Sequence, residues 1–328
     1  MRRFLVGAIL IAVVLGGGLA VAFVSIAGAS PRCWRPAAGP PEPGNSARVV
    51  LSGGAERCYL LHVPPEGLAP ASPTMLVISL HGFSSRPEGQ AFLTGWEEIA
   101  DREGFLVVFP QGTRFPVRWN ASALPGTEAA DDVQFIRDLL DDLGEMFALD
   151  PSRVYVNGMS NGGAMTHRLA CEMADVFGAA GVVAGPILSL PGGCEPARPM
   201  PIIGFYGTDD PVVAYEGGFL SEESARRMFR VEAARARIYS AQAWAGGWAE
   251  WNGCRVHGDI LGPGSDVSVV SYSDCLEDAS VVLYTIHGGG HTWPGGPMLP
   301  FLGGTTQSIS ASEAMLEFFL AHPLPDGS

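Results

Sequence analysis

Val154-Tyr155-Val156-Asn157-Gly158-Met159-Ser160-Asn161-Gly162-Gly163 is the stretch that decides the fold. Its centre, Gly158 to Gly162, has the form G-x-S-x-G. The motif alone says little, since a chain this rich in glycine yields about 0.4 such matches by chance. Its flanks say more. Val154–Asn157 reads as a short buried strand, and Asn161–Ala174 reads as a helix. A strand that turns into a helix at a serine between glycines makes a sharp bend, which lifts the serine hydroxyl above the end of the strand in a strained conformation. The glycines fit because a side chain beside the bend would collide with it. Gly163 allows closer approach of helix and strand. A hydroxyl held this way is a candidate nucleophile, which needs a base and an acid nearby.

Outward from this turn, strands and helices alternate. Met75–Leu80, Phe105–Phe109, Val182–Ala184, Ile202–Tyr206 and Val281–His287 are short apolar runs, as expected of strands covered on both faces. Ala47–Leu51 and Cys58–Val63 read as strands around the turn Ser52-Gly53-Gly54. Asp131–Phe147 is the clearest helix, with Val133, Ile136, Leu140, Leu143 and Phe147 on one stripe and Asp131 and Asp132 at its positive end. Asp150-Pro151 follows as a breaker. Trp96–Arg102 is a further helix, whereas Pro87–Gly95 shows no clear period. Ser310 and Glu313 form a capping box for a last helix to Leu320. This alternation predicts an α/β protein with a mostly parallel central sheet and helices on both faces.

The 328 residues suit one large domain, and 47% hydrophobic residues supply its core. The 43 Gly and 26 Pro are scattered without a period, so they mark turns, and no internal repeat is seen. A net charge of −14 argues against a nucleic-acid groove or an anionic-membrane patch and reads as general solubility. All 20 Lys+Arg residues are Arg, which excludes a Schiff-base lysine, a P-loop and a Ser-Lys dyad. Arg2 and Arg3 precede an apolar run from Phe4 to about Ile26, and Ala27-Gly28-Ala29 fits a cleavage site before Ser30. Residues 1–29 therefore read as a secretory signal, with an uncleaved membrane anchor as the alternative. Residues 30–46, with the Pro/Gly-rich Pro36–Gly44, read as a linker or arm, and 47–328 as the catalytic domain. Six cysteines in an exported chain suggest disulfides, most simply between neighbours: Cys33–Cys58, Cys171–Cys194 and Cys254–Cys275. No C-x-x-C spacing supports a zinc site, and no metal or organic cofactor is expected.

The serine turn in such a sheet implies the α/β-hydrolase fold, in which the base lies on a loop after the last strand. His291, in Gly288-Gly289-Gly290-His291-Thr292-Trp293-Pro294-Gly295, fits best, and His287 is second. His167 falls within the helix after the serine and His257 in a polar loop. The acid should follow a strand between serine and histidine. Ile202–Tyr206 leads into Gly207-Thr208-Asp209-Asp210-Pro211, and spacing alone does not separate Asp209 from Asp210. Met75–Leu80 ends in His81-Gly82-Phe83, where a backbone N–H would face the serine. The N–H of Asn161 is the second oxyanion donor, and His81 shapes the loop.

With these pieces, the chain resembles the exported esterases grouped around polyhydroxybutyrate depolymerases and feruloyl esterases (carbohydrate esterase family one, the LpqC-like branch). The resemblance runs from about Ala47 to Phe319. It rests on Leu80-His81-Gly82-Phe83, Asp131-Asp132-Val133 with Phe135, and Asp150-Pro151-Ser152-Arg153 continuing through Ser160 to Gly163. It extends through Leu169-Ala170-Cys171-Glu172, Gly207 to Val213, Trp251-Asn252-Gly253-Cys254 and Gly289 to Gly295. In that family the acid directly precedes the proline, which implies Asp210. The resemblance also supports the pairs Cys171–Cys194 and Cys254–Cys275 and implies Trp293 as a wall of the substrate pocket. Two departures stand out. The extra C-terminal binding module common in polymer depolymerases is not found after the last helix, which argues against an insoluble polymer as the main substrate. The Arg-rich stretch Ser221–Arg237 looks inserted, either as a lid or as a solvated helix.

The expectation is a secreted serine esterase acting through Ser160, His291 and Asp210, with Phe83 and Asn161 as oxyanion donors. Its substrate would be a feruloyl or acetyl ester or a short 3-hydroxybutyrate oligomer. An acyltransferase or peptidase with the same triad, and a non-catalytic surface-binding protein, are the alternatives; the last predicts a broken triad.

Overall fold

The apolar runs form the middle of a mixed sheet. The computed structural model describes residues 36–66, 68, 73–121, 130–188, 195–219, 237–261 and 266–325. The expected signal 1–29, Cys33, Cys194 and residues 221–236 of the Arg-rich insertion lie outside the described residues. The strands are β1 (Gly44–Ser52), β2 (Ala55–Val63), β3 (Thr74–Leu80), β4 (Leu106–Pro110), β5 (Leu149–Met159), β6 (Ala180–Val183) and β7 (Ile202–Gly207). They continue with the short β8 (Gly218–Phe219) and β9 (Arg237–Ile238), then β10 (Val256–Leu261), β11 (Val267–Ser273) and β12 (Val281–Ile286). The helices are α1 (Pro87–Thr94), α2 (Trp96–Glu103), α3 (Asp132–Met146), α4 (Asn161–Glu172), α5 (Ala241–Trp251) and α6 (Ala311–Ala321).

Among the described residues, ten strands share one sheet in the order β1-β2-β4-β3-β5-β6-β7-β12-β11-β10. The central run from β4 to β12 is parallel, and both edges are antiparallel. Alternate side chains of the central strands enter two cores, because successive residues of a strand point to opposite faces. Leu76, Ile78, Leu80, Val154 and Val156 pack with α3, α4 and α5. Met75, Val77, Tyr155 and Met159 pack with α1, α2 and α6. The expected α/β class is therefore formed, with β5 near the middle of the sheet. Loops leaving the C-terminal ends of β3, β5, β7 and β12 emerge along one edge, where open parallel sheets bind ligands.

The local signals account for much of this. Gly53 and Gly54 both have positive φ, 59° and 77°, as a two-residue turn between twisted strands requires. Ser310 accepts from Glu313 N at 3.3 Å and caps α6. The Glu313 carboxylate, however, pairs with Arg102 on α2 rather than completing the capping box.

Other elements escape the sequence pattern. α1 covers the stretch without a period; Pro87 starts it, and only a narrow stripe of it is buried. α5, β10 and β11 are not among the elements that the sequence pattern predicts. His257, expected in a polar loop, lies on β10, an edge strand whose single neighbour allows polar residues. On α3 the buried face is Asp132, Val133, Phe135, Ile136, Leu139 and Leu143, with Leu140 and Phe147 only partly covered. The face is rotated because Asp132 is drawn inward to Arg57, at 2.6 Å, while Asp131 alone caps the helix through Gln134 N. Cys254 and Cys275 form the expected disulfide. Cys58 and Cys171 are disulfide-bonded too, and Cys33 and Cys194, their expected partners, lie outside the described residues.

Candidate active site

β5 ends at Met159, and α4 begins at Asn161 with no residue between them except Ser160. Ser160 has φ 58° and ψ −122°, a conformation that costs a non-glycine residue on the order of 1–3 kcal/mol. Its surroundings hold it there. Ser160 N donates to Val183 O at 2.9 Å, and Ala164 N donates to Ser160 O at 2.9 Å. A Cβ at Gly158 would lie 2.5 Å from Gly162 O, and one at Gly162 would lie 2.1 Å from Leu80 O. The glycines two residues either side of the serine are thus demanded by backbone approaching backbone.

The loops after β7 and β12 bring a carboxylate to an imidazole. His291 Nδ1 lies 2.8 Å from Asp210 Oδ2, and their side chains are 6% and 1% exposed. The other carboxylate oxygen, Oδ1, accepts from Val212 N at 2.7 Å and Val213 N at 2.8 Å, so Asp210 cannot rotate freely. Asp209, the other candidate, is exposed and accepts only a 3.2 Å bond from Thr208 Oγ1. Its own N–H donates to Gly289 O and stitches the two loops together. His291 and Ser160 line the same cavity. His287 is exposed and pairs with Ser268 Oγ, while His167 is buried and accepts from the indoles of Trp244 and Trp248.

The two expected oxyanion donors are backbone N–H groups, one of Asn161, directly after Ser160, and one of Phe83, which lines the same cavity as Ser160. Asn161 N belongs to the first turn of α4, where donors have no intrahelical partner and the helix dipole favours negative charge. The Asn161 side chain is turned away from the cavity. It accepts from Trp119 N at 2.7 Å and donates to Trp119 O at 3.3 Å. Trp119 Nε1 in turn donates to His81 O.

His81 is fully buried between a donor and an acceptor of fixed sense. Gly112 N donates to its Nε2 at 3.0 Å, so its Nδ1 carries the proton and donates to Gly82 O at 2.8 Å. Burial pushes its pKa down to about 4, which keeps this neutral form. In a trans peptide the carbonyl and the following N–H point in opposite directions. Pinning Gly82 O therefore fixes the direction of the Phe83 N–H. One layer further out, Asp132 joins Arg57 to Asn120 N, next to Trp119. Burial raises the Asp132 pKa, and the Arg57 charge opposes that shift.

The cavity over Ser160 has a volume of about 410 Å³. One wall is α1, through Gln90 and Leu93, and another is the segment Pro297 to Leu302. Neither wall follows from the sequence pattern. The signal available was the apolar run Pro297-Met298-Leu299-Pro300-Phe301-Leu302 in a loop without strand or helix period, since exposed apolar clusters mark binding surfaces. Trp293, expected as a pocket wall, does not line this cavity. It is 1% exposed and donates to Ser312 Oγ, which donates to Thr94 O at the end of α1. It packs the last loop against α6 and is joined to the end of α1 by that chain of bonds.

Three comparisons bear on this geometry. The family model for esterase PHB depolymerase matches residues 57–213, which include Ser160 and Asp210. NocK of Nocardia uniformis subsp. tsuyamanensis, which carries the name of an esterase, is 31% identical over 287 residues, covering 84% of this chain and 82% of that protein. Feruloyl esterase B of Piromyces equi is 32% identical over 239 residues, 71% of this chain but 42% of that larger protein. Among solved structures, the acetyl xylan esterase from Aspergillus awamori superposes with a TM-score of 0.59 at 15% identity, covering 84% of this chain and 98% of that one, a likeness of fold. With a relative matched along most of both chains and a serine turn at the end of a central parallel strand, this chain belongs to the PHB depolymerase family of α/β-hydrolase esterases, serine hydrolases that act on carboxylic ester bonds.

Proposed function

We propose that the protein is an exported esterase in which Ser160, His291 and Asp210 act as a triad and the N–H groups of Phe83 and Asn161 form the oxyanion hole. The observation that carries this reading is the buried 2.8 Å pair between His291 Nδ1 and Asp210 Oδ2, on the wall of the cavity that Ser160 lines. Asp210 accepts a hydrogen bond from Nδ1–H, which keeps the proton on Nδ1 and leaves Nε2 as the basic nitrogen. Nε2 takes the proton of Ser160 Oγ as Oγ bonds to the ester carbonyl carbon. The carbonyl oxygen becomes an anion facing the two N–H groups, which are oriented before charge develops and need not reorganise. Collapse of the adduct breaks the bond to the alcohol oxygen, which leaves with the proton from His291. Water then enters, gives a proton to His291 and attacks the acyl carbon; Ser160 departs and recovers its proton. Feruloyl and acetyl esters and short 3-hydroxybutyrate oligomers are the candidate substrates.

Export is supported by cysteines that are disulfide-bonded among the described residues, a state maintained in oxidising compartments. In this reading residues 1–29 are the signal and 47–328 the catalytic domain. The test is turnover by residues 30–328 on nitrophenyl esters, methyl ferulate, acetylated xylan and 3-hydroxybutyrate oligomers, beside the Ser160→Ala variant. The expected result is hydrolysis that falls at least about 10⁴-fold in the variant. Turnover that survives Ser160→Ala, or a folded wild type inert on every ester, would overturn the proposal.

A further inference from the structure

We infer that the cavity over Ser160 selects an uncharged apolar acyl group clearly larger than acetyl, with Leu93 and Phe301 as specificity-determining residues. This rests on the esterase reading above. Its volume of about 410 Å³ is far more than a methyl group can fill. The lining is apolar from the serine outward, through Phe83, Met159, Val212 and Leu93 to Leu299 and Phe301. Among the described residues no Arg, Asp or Glu lines it, and the chain contains no Lys, so none of those lining residues would offset a charge carried by the acyl group. Of the polar lining groups, Ser160 and His291 belong to the proposed chemistry. Ser85 adds one hydroxyl, and Gln90, 1% exposed, donates its amide N–H to Ser79 Oγ, 3.1 Å away. A sugar ring, which needs many hydrogen bonds, finds few here.

The apolar wall also reaches the surface. Phe92 and Phe301 line the cavity and are yet 73% and 78% exposed, so they stand at its mouth. A chain longer than a few carbons keeps gaining apolar contact along this wall. Each buried methylene is worth about a fourfold gain in kcat/KM, from the transfer free energy of a CH₂ group.

The experiment measures kcat/KM on nitrophenyl esters from acetate to decanoate, and on the adipate monoester beside the equally long hexanoate. Hexanoate is expected to exceed acetate at least about tenfold, mostly through KM, and to exceed the charged adipate monoester by a similar factor. Leu93→Trp, which fills the cavity, should cut the hexanoate-to-acetate ratio at least about fivefold. Phe301→Ser, at an exposed position that folding tolerates, should lower the ratio for decanoate more than for butyrate. A preference for acetate, equal rates on hexanoate and the adipate monoester, or chain-length profiles unmoved by both substitutions would overturn the inference. Ser160→Ala separates the two readings: if it abolishes turnover while the profile is flat, only the pocket assignment fails.

Discussion

Replacing Asp210 by Asn tests how the site sets the histidine tautomer. The structure decides which way the new amide must face. Oδ1 of Asp210 accepts two backbone N–H groups, from Val212 and Val213, and Oδ2 faces His291 Nδ1. With the amide oxygen toward the two N–H donors, its NH₂ meets His291 Nδ1, which must then accept; the ring proton moves to Nε2, and the base facing Ser160 is lost. Turning the amide over restores the tautomer but sets the NH₂ against two N–H donors in a nearly dry site. Two buried donors left unpaired cost about 1–3 kcal/mol each. The competent arrangement is thus disfavoured by about 2–6 kcal/mol, a fall in kcat of about 30-fold to about 10⁴-fold. In a serine protease of unrelated fold the same exchange costs about 10⁴-fold, so the upper part of that range is expected. The assay is steady-state hydrolysis of a nitrophenyl ester, with circular dichroism to show that the variant is folded. Asp209→Asn serves as the control; its carboxylate is exposed and meets only Thr208, and it should stay within about threefold of wild type. A folded Asp210→Asn enzyme within tenfold of wild type, or a greater loss at Asp209, would refute the reasoning.

Two further predictions concern stability. His81 is held neutral in the fold, its pKa lowered from 6.5 to about 4, so between those values the unfolded chain binds the proton that the native state does not. Stability from this group is complete above about pH 6.5 and is lost as pH falls toward 4, by about 3 kcal/mol in all. His81→Gln should flatten the denaturant-unfolding curve against pH by that amount, and an unchanged pH dependence would rule this out. The Cys254–Cys275 bridge closes a loop of sequence separation 21, for which chain entropy gives about 3 kcal/mol. The double Cys→Ser variant should melt several degrees lower while keeping kcat near wild type at 25 °C, since neither residue lines the cavity; an unaltered Tm would contradict it.

What the sequence determined is what short-range physics dictates. The elbow is legible because the strand, the turn and the helix around Ser160 are contiguous, and Gly158 answers a clash with the backbone of Gly162, four residues on. The central strands are legible because a strand covered on both faces must be apolar at every position, as Thr74–Leu80 and Leu106–Pro110 nearly are. The loop carrying His291 follows from its place after the last such strand.

The tertiary structure decided what depends on partners distant in sequence. Asp209 and Asp210 have one composition and one turn between them; only the packing of the β12 loop against the β7 loop selects which carboxylate meets the imidazole, 81 residues away. Asp131 and Asp132 look alike as helix starters, and Arg57, 75 residues from Asp132, draws one of them into the core, where it also accepts from Asn120 N. Trp293 stands two residues from His291, yet its indole turns to Ser312, because a loop residue's direction is set by the surface it packs on. The same holds for the cavity. Its walls come from a helix without a clear period and an apolar loop, segments whose shared purpose exists only once the sheet has brought them over Ser160.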